Sequence, residues 1–313
     1  MLQVMLDMHP ELGIPRETNF IRQLWWQRWK FGDLADVASR RRAARWILGD
    51  RDHLTWRLRR RHHVPRKQAA RRIATAGPTI GSIVEACVRL HADPKPRWGD
   101  KRPAYSGFLE PLLAMFPDAQ YVNLVRDPRG AVASQLGLRW DPEDIAVPAA
   151  IARWEGAIAR TDQAARRLRP DQLLDVRYED LVGDPQAELG RILTFAGLPA
   201  GDVVETMISG DRQGAFTSSQ AHALVAEPVT TVSIERWRDR LSPQEVALLE
   251  HGTAPLMDRF GYRPVREAEP EPDALRELAR QRGLNRREWR RTQRDELLRR
   301  ARYRKPVAAE GHD

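Results

Sequence analysis

The chain has 313 residues, of which 42% are hydrophobic, and a net charge of +9. This length allows one substantial core, or one domain with an appendage. No apolar run reaches the length of a membrane span, and the first residues lack the basic-then-apolar order of a secretory signal. The single cysteine, Cys87, excludes an internal disulfide and favours a reducing, cytoplasmic location. Because Cys87 lies in an apolar run, we expect it to be buried and inert.

The positive charge is concentrated in two segments. Residues 40–72 hold thirteen Lys/Arg against two Asp, and residues 271–305 hold thirteen Lys/Arg against six Asp/Glu. The rest of the chain is therefore acidic. This distribution points to acidic partners for the two basic segments and not for the whole protein.

The first part of the chain is predicted to be mostly helical. A helix is expected at Met1–Met8, which ends before His9-Pro10, and another at Gly77–Leu90. Between them, residues 19–72 are rich in Trp and Arg. That composition suits an anionic or sugar-containing ligand, or nucleic acid. A set of helices with solvated arginines and core tryptophans explains it equally well.

The most informative stretch is Ala119–Arg139, AQYVNLVRDPRGAVASQLGLR. An apolar strand is predicted at Tyr121–Val125, followed by a turn at Arg126-Asp127-Pro128 and a helix from Arg129. Pro128 suits the first helical turn, and the free N–H groups of that turn favour an anion. With Arg126 at the end of the strand and Ser134 in the helix, this unit is suited to binding phosphate. A plain surface turn with solvated arginines is the alternative.

In the rest of the chain, segments with a periodic apolar pattern are separated by residues typical of turns. Ile151, Trp154, Ile158 and Ala165 have helical spacing and are expected in the core. Asp184 is expected to cap a helix, as is Ser242. Further along, 215–237 reads as a long loop, and an acidic, proline-bearing linker precedes the tail. The predicted elements are a helix at Val147–Leu168, a strand at Leu173–Val176, helices at Pro185–Gly197 and Leu241–Phe260, and one or two basic tail helices at Ala274–Arg304, interrupted near Gly283.

The run LVRDPRGAVAS resembles the 3′-phosphate-binding motif of sulfotransferases that use 3′-phosphoadenosine 5′-phosphosulfate (PAPS), particularly tyrosylprotein sulfotransferases and their bacterial relatives. The resemblance implies that Arg126 and Ser134 bind the 3′-phosphate of the nucleotide. VRYEDLVGDP resembles a second signature of the family, in which Tyr178 matches a tyrosine that contacts the nucleotide.

Two further matches imply catalytic roles. WGDKRP resembles the family's Asp/Asn-Lys-x-Pro motif, whose lysine stabilises the transition state; that lysine is Lys101. PRET resembles the segment that carries the catalytic glutamate of the tyrosylprotein enzymes, which is Glu17. Without the resemblance, Glu17 would be read as a solvated loop carboxylate.

The sequence also departs from the family pattern. A loop serine near the transferred group matches Ser219 only with a two-residue gap, and Ser218 is the alternative. A family lysine falls at Glu227, and an arginine falls at Leu138 beside Arg139. The strand and phosphosulfate loop that open the family domain have no counterpart in the sequence. We expect the natural coding sequence to begin further upstream; a decayed or repurposed protein is the alternative.

Together these features predict an α/β fold, a parallel sheet flanked by helices of the P-loop-like sulfotransferase type, without its first strand and loop. The domain is expected at residues 1–264, with a linker and basic helical tail at 265–313. The resemblance implies transfer of a sulfuryl group from PAPS to a hydroxyl of a glycan, lipid, peptide or small molecule. No His/Cys cluster has metal-ligand spacing, so no metal is expected. The alternatives are another P-loop nucleotide enzyme such as a kinase, an inactive nucleotide-binding or scaffold protein, and a nucleic-acid-binding protein that uses its basic segments.

Overall fold

A computed structural model describes residues 1–15, 17, 19–49, 64–92, 95–136, 145–209, 231–265 and 268–302. The described residues form two compact units. The first consists of residues up to 119 together with those from 293 onward, and the second of residues 120–292.

The first unit is mainly helical. Its elements are α1 (Leu2–Asp7), β1 (Leu12–Gly13), α2 (Phe20–Gln27), α3 (Val37–Gly49), α4 (Arg66–Ala74), α5 (Ile80–Ala92), β2 (Arg97–Trp98) and α6 (Leu109–Met115). Short 3₁₀ helices lie at Arg28–Lys30 and Pro103–Gly107. The helices predicted at both ends of the Arg/Trp-rich segment are present as α1 and α5.

β1 and β2 form a short parallel pair in which Leu12 lies opposite Arg97 and Gly13 opposite Trp98. The amide of Gly99 continues the ladder by donating to the carbonyl of Gly13 at 3.0 Å. The segments that follow the two strands therefore start from the same edge of the pair.

The core of the first unit is built from apolar faces of its helices. Phe20 and Leu24 of α2 are fully buried, as are Ile47 of α3 and Ile83 of α5. Cys87 is fully buried in α5, and this burial raises the pKa of its thiol. The predicted burial of Cys87 is confirmed.

The second unit contains the strongest predicted strands. Its elements are β3 (Tyr121–Val125), α7 (Pro128–Leu136), α8 (Val147–Ala165), β4 (Leu173–Arg177), α9 (Tyr178–Gly183), α10 (Pro185–Phe195), α11 (Val203–Ser209), α12 (Pro243–Arg259) and α13 (Pro272–Arg302), whose last residues group with the first unit. Short 3₁₀ helices lie at Thr231–Ser233 and Arg236–Asp239.

β3 and β4 are parallel and in register over their whole length, from Tyr121 opposite Leu173 to Val125 opposite Arg177. Because both strands end at the same level, the next residues of the chain, Arg126 and Tyr178, leave the sheet at the same edge. The α/β fold class with parallel strands flanked by helices is therefore confirmed.

Helix packing and caps hold this sheet in place. Ile151, Trp154 and Ile158 of α8 are buried as predicted, whereas Ala164 is buried in place of Ala165, which is only half-buried. Asp184 caps α10 by accepting from the amide of Ala187 at 3.0 Å. In α12, Ser242 and Glu245 form a reciprocal capping box.

The basic tail differs from its prediction. We expected an interruption near Gly283, but α13 is one continuous helix from Pro272 to Arg302. A glycine inside a helix costs only about 1 kcal/mol relative to alanine, which the surrounding residues readily offset. The prediction of a break was wrong for that reason.

Candidate active site

Arg126 follows β3, and its guanidinium lies over the ring of Tyr178, which follows β4. The Arg126 Cζ is 4.5 Å from the centroid of that ring. The same guanidinium donates a hydrogen bond of 2.8 Å to the carbonyl of Ser233. The hydroxyls of Tyr178 and Ser233 are themselves 2.8 Å apart and hydrogen-bonded. Three residues from distant parts of the sequence thus fix one another at the carboxyl edge of the strands.

No carboxylate among the described residues neutralises the charge of Arg126. Within the part of the chain that the structure describes, Arg126 forms no ion pair, and its buried Nε has no hydrogen-bond partner. A partly buried guanidinium without a carboxylate is suited to binding an anion, because the forked donors match phosphate oxygens. Since Tyr178 and Ser233 fix its position, the cation is held in place before a ligand arrives.

The turn that carries Arg126 is supported by a buried ion network. Asp127 caps α7 by accepting from the amide of Arg129 at 2.8 Å, and its other oxygen accepts from the Arg129 guanidinium at 2.7 Å. Arg129 also donates to Glu250 of α12 at 2.7 Å. Burial lowers the pKa of Arg129, but the hydrogen bonds and charges of the two carboxylates outweigh it and raise the pKa overall. Arg129 is therefore structural, in contrast to Arg126.

A second carboxylate ties the turn to α9. Glu179 accepts from the backbone amide of Asp127 at 3.0 Å and from the hydroxyl of Tyr262 at 2.8 Å. Burial, followed by the charge of Glu179, raises the pKa of Tyr262, which remains a neutral donor. Glu179 follows Tyr178 in the sequence, so this contact also fixes the backbone that presents Tyr178.

Gly130 and Ser134 are the α7 residues that bear on the phosphate assignment. A Cβ on Gly130 would meet the Arg126 Nε at 3.0 Å, so the glycine lets the guanidinium lie close to the helix. Ser134 is half-buried in the second turn of α7. Its hydroxyl is engaged by no hydrogen bond among the described residues. The structure thus gives Arg126 direct contacts with Tyr178 and Ser233 and leaves the role of Ser134 a prediction.

In the first unit, Glu17 and Lys101 form an ion pair. The Lys101 ammonium donates to Glu17 Oε1, and the two side chains are 47% and 38% exposed, respectively. Glu17 lies downstream of β1 and Lys101 downstream of β2, so the parallel pairing of these strands accounts for their approach. Nearby, the Tyr105 hydroxyl donates to Asp100, the residue before Lys101.

Other sequence predictions have different outcomes. Ser219, its alternative Ser218 and the departures at Glu227 and Leu138 lie outside the described residues. Ser233, which contacts both Arg126 and Tyr178, was not predicted. Its only sequence signal is its place in the aperiodic stretch 215–237, which is predicted to be a long loop.

Comparison with known proteins gives the family. The model of the sulfotransferase family matches residues 1–202, well over half of the chain. The chain belongs to the sulfotransferase family. The resemblance inferred from the motifs is confirmed.

This sulfotransferase-family chain is similar to proteins that are named for different acceptors. It is 25% identical over 272 residues to protein-tyrosine sulfotransferase A of Caenorhabditis elegans, which covers 84% of the chain and 64% of that protein. It is 24% identical over 186 residues to omega-hydroxy-beta-dihydromenaquinone-9 sulfotransferase Stf3 of Mycobacterium bovis, which covers 56% of the chain and 43% of that protein. The chain thus spans 64% of the length of the first relative and 43% of the length of the second.

The fold of this family member also matches solved structures. The sulfotransferase domain from the Synechococcus PCC 7002 olefin synthase aligns with a TM-score of 0.57 and 23% identity, over 84% of this chain and 90% of that domain. In the described parts of the sulfotransferase-family chain, no His/Cys/Asp/Glu group could hold a metal ion. No described helix is long and apolar enough to cross a bilayer. The cytoplasmic location stays a prediction, and a nucleic-acid partner has no support from the relatives.

Proposed function

We propose that this protein transfers a sulfuryl group from PAPS to the hydroxyl of an acceptor and releases 3′,5′-adenosine diphosphate. The observation that carries the proposal is Arg126, a guanidinium that no described carboxylate neutralises and that Tyr178 and Ser233 hold where two parallel strands end. Arg126, Ser134 and Tyr178 would bind the nucleotide, with the 3′-phosphate on Arg126. Donors that are already fixed in position can bind a phosphate without first having to rearrange.

The reaction needs one proton acceptor and one cation. The acceptor oxygen forms a bond to sulfur, and the bond between sulfur and the bridging oxygen of the 5′-phosphate breaks. Glu17 takes the hydroxyl proton, and Lys101 offsets the negative charge that grows on the leaving phosphate. Their ion pair supports this assignment, because it shows that the two groups approach within hydrogen-bond distance. Ser219 is proposed to lie near the transferred group.

Titration calorimetry with two nucleotides tests the donor site. 3′,5′-adenosine diphosphate and 5′-adenosine monophosphate differ only in the 3′-phosphate. The native protein should bind the first more tightly, and Arg126→Ala should weaken that binding about 10- to 100-fold while it leaves the monophosphate unchanged. Arg169→Ala, which removes an arginine that is 53% exposed, is the matched control.

Equal binding of the two nucleotides by the native protein would remove the donor assignment. Transfer itself is tested with PAPS that carries radiolabelled sulfate and a panel of glycan, lipid, peptide and small-molecule acceptors. We expect radiolabel to appear in an acceptor, and we expect this labelling to depend on Lys101.

A further inference from the structure

One side of α13 is packed against other helices. Leu278 is 1% exposed. Arg282 donates to Glu155 of α8 at 2.6 Å, and Asn285 donates to the carbonyl of Ala152, also in α8, at 2.6 Å. Because these three residues of α13 follow one another at intervals of four and three, they lie on one face of the helix. The other side of α13 therefore points to solvent.

Three arginines on the solvent side of α13 have no partner among the described residues. Arg286, Arg287 and Arg290 are exposed, and they form no ion pair or hydrogen bond within the part of the chain that the structure describes. Earlier in the helix, by contrast, Arg276 and Arg280 each pair with a carboxylate three residues before them. The later part of α13 thus carries positive charge that remains available to a ligand.

Acidic residues are few in this part of the helix. Residues 284–302 hold eight arginines and three acidic residues. Of the three, Glu296 pairs with Arg28 and Asp295 with Arg294. Guanidinium groups spread along a helix in this way complement a surface of many phosphates better than a single small anion. The charge of α13 therefore points to an extended anionic partner.

Exposed leucines on the same helix distinguish between two kinds of phosphate surface. Six large hydrophobic side chains are exposed in the described part of the chain, and three of them lie on α13: Leu284, Leu297 and Leu298. Leu297 follows Arg290 by seven residues, and Leu284 precedes the exposed Arg291 by seven, so leucines and arginines share the solvent side. The phosphate backbone of a nucleic acid gives leucines no apolar surroundings, whereas the interface of a bilayer accommodates both residue types. The leucines therefore favour a lipid surface.

We propose that the solvent side of α13 binds the surface of an anionic phospholipid bilayer. The arginines lie among the lipid phosphates, and the leucines enter the layer between the headgroups and the acyl chains. The contact is peripheral, and it places the chain at a membrane surface. This inference goes beyond the proposed function and does not depend on it.

Co-sedimentation of the full chain with lipid vesicles tests the proposal. One set of vesicles consists of phosphatidylcholine alone, and the other of equal parts of phosphatidylcholine and phosphatidylglycerol. The chain should bind the anionic vesicles at least about 10-fold more tightly, because each arginine near an anionic surface contributes to the affinity. Added salt should weaken this binding, since it screens the attraction between exposed charges.

Two triple variants with the same loss of charge assign the binding to α13. The α13 variant carries Arg286→Gln, Arg287→Gln and Arg290→Gln, and it should bind the anionic vesicles at least about 10-fold more weakly than the native chain. The control removes three exposed cations of α4 and should keep most of the binding. Its substitutions are Arg66→Gln, Lys67→Gln and Arg71→Gln.

The contribution of the leucines is measured separately. Leu297→Gln together with Leu298→Gln should weaken binding to the anionic vesicles about 3- to 10-fold, because the apolar side chains no longer leave water on binding. Affinity for a short DNA duplex should not change in this variant.

Equal binding of the native chain to both kinds of vesicle, or an equal loss in the two triple variants, would overturn the proposal. Binding to the DNA duplex and self-association of the chain are measured on the same samples. If the α13 variant loses either of these and keeps its vesicle binding, the helix binds nucleic acid or a second copy of the chain, and the proposal is wrong. Arg287→Gln alone provides the same test, with a smaller loss, if the triple variant does not fold.

Discussion

Ser233 joins the two residues that follow β3 and β4, through its carbonyl to Arg126 and through its hydroxyl to Tyr178. The two contacts have different chemistry. Replacing the side chain removes only the hydroxyl pair and keeps the carbonyl, so the contribution of the pair can be measured separately from that of the arginine. Ser233 is a positioning residue in this account.

Tyr178→Phe and Ser233→Ala should each weaken binding of 3′,5′-adenosine diphosphate about 2- to 10-fold, since each removes one neutral hydrogen bond. The double variant should be little worse than either single variant, because both remove the same bond. Calorimetry on the four proteins of this cycle measures the coupling. Fully additive losses would show that the hydroxyls act independently and would contradict the positioning role.

Glu250 illustrates a residue that is essential for the turn and remote from it in sequence. Glu250→Ala leaves the Arg129 guanidinium with Asp127 alone in a site where all three side chains are at most 8% exposed. We expect a loss of about 3 kcal/mol in the free energy of unfolding, because removing one partner of a buried ion pair leaves the other charge buried without full compensation.

Denaturant unfolding measures that loss. Asp171→Ala, at a carboxylate that is 72% exposed and paired with Arg169, is the control and should change stability by less than about 1 kcal/mol. If the two variants lose the same small amount, the network does not stabilise the turn.

At the scale of elements, the sequence predicted what short-range signals determine. β3 and β4 are apolar runs bounded by turns, and the caps at Asp184 and Ser242 are residue types that accept from helix amides. Arg126 and Tyr178 could be placed because each follows such a strand. β1 and β2 were not predicted, since two residues are too few for a periodic pattern. Ser233 was missed because only the tertiary fold brings it to Tyr178.

The continuous helix α13 leads to a test at Gly283. A Cβ there would meet nothing within 4 Å, so Gly283→Ala should raise the free energy of unfolding by about 0.5–1 kcal/mol through reduced freedom of the unfolded chain. Gly261 has φ +71°, where a side chain is strained, and Gly261→Ala should lower stability by about 1 kcal/mol. A loss of stability at Gly283 would instead favour the interrupted helix that the sequence suggested.

At the scale of the whole molecule, the sequence could not predict which segments group together in each of the two units. Charge and proline content separated the tail from residues 1–264, and that boundary stays a prediction. In the structure, residues 293–302 group with the first unit, and Glu296 of this segment pairs with Arg28. Contacts between residues so far apart in sequence have no signal in composition or periodicity.

The proposed roles divide between the two units, which predicts two kinds of variant. Glu17→Gln should leave the affinity for 3′,5′-adenosine diphosphate within about 2-fold, since Glu17 would act only on the acceptor proton. It should lower kcat about 100-fold or more. Arg126→Ala should instead raise KM for PAPS and recover much of its rate at saturating donor, because it removes binding that ground state and transition state share. Steady-state kinetics with labelled PAPS, run beside calorimetry, measures both. A Glu17→Gln protein with native kcat would exclude Glu17 as the base, and one that no longer binds the nucleotide would show that Glu17 belongs to the donor site.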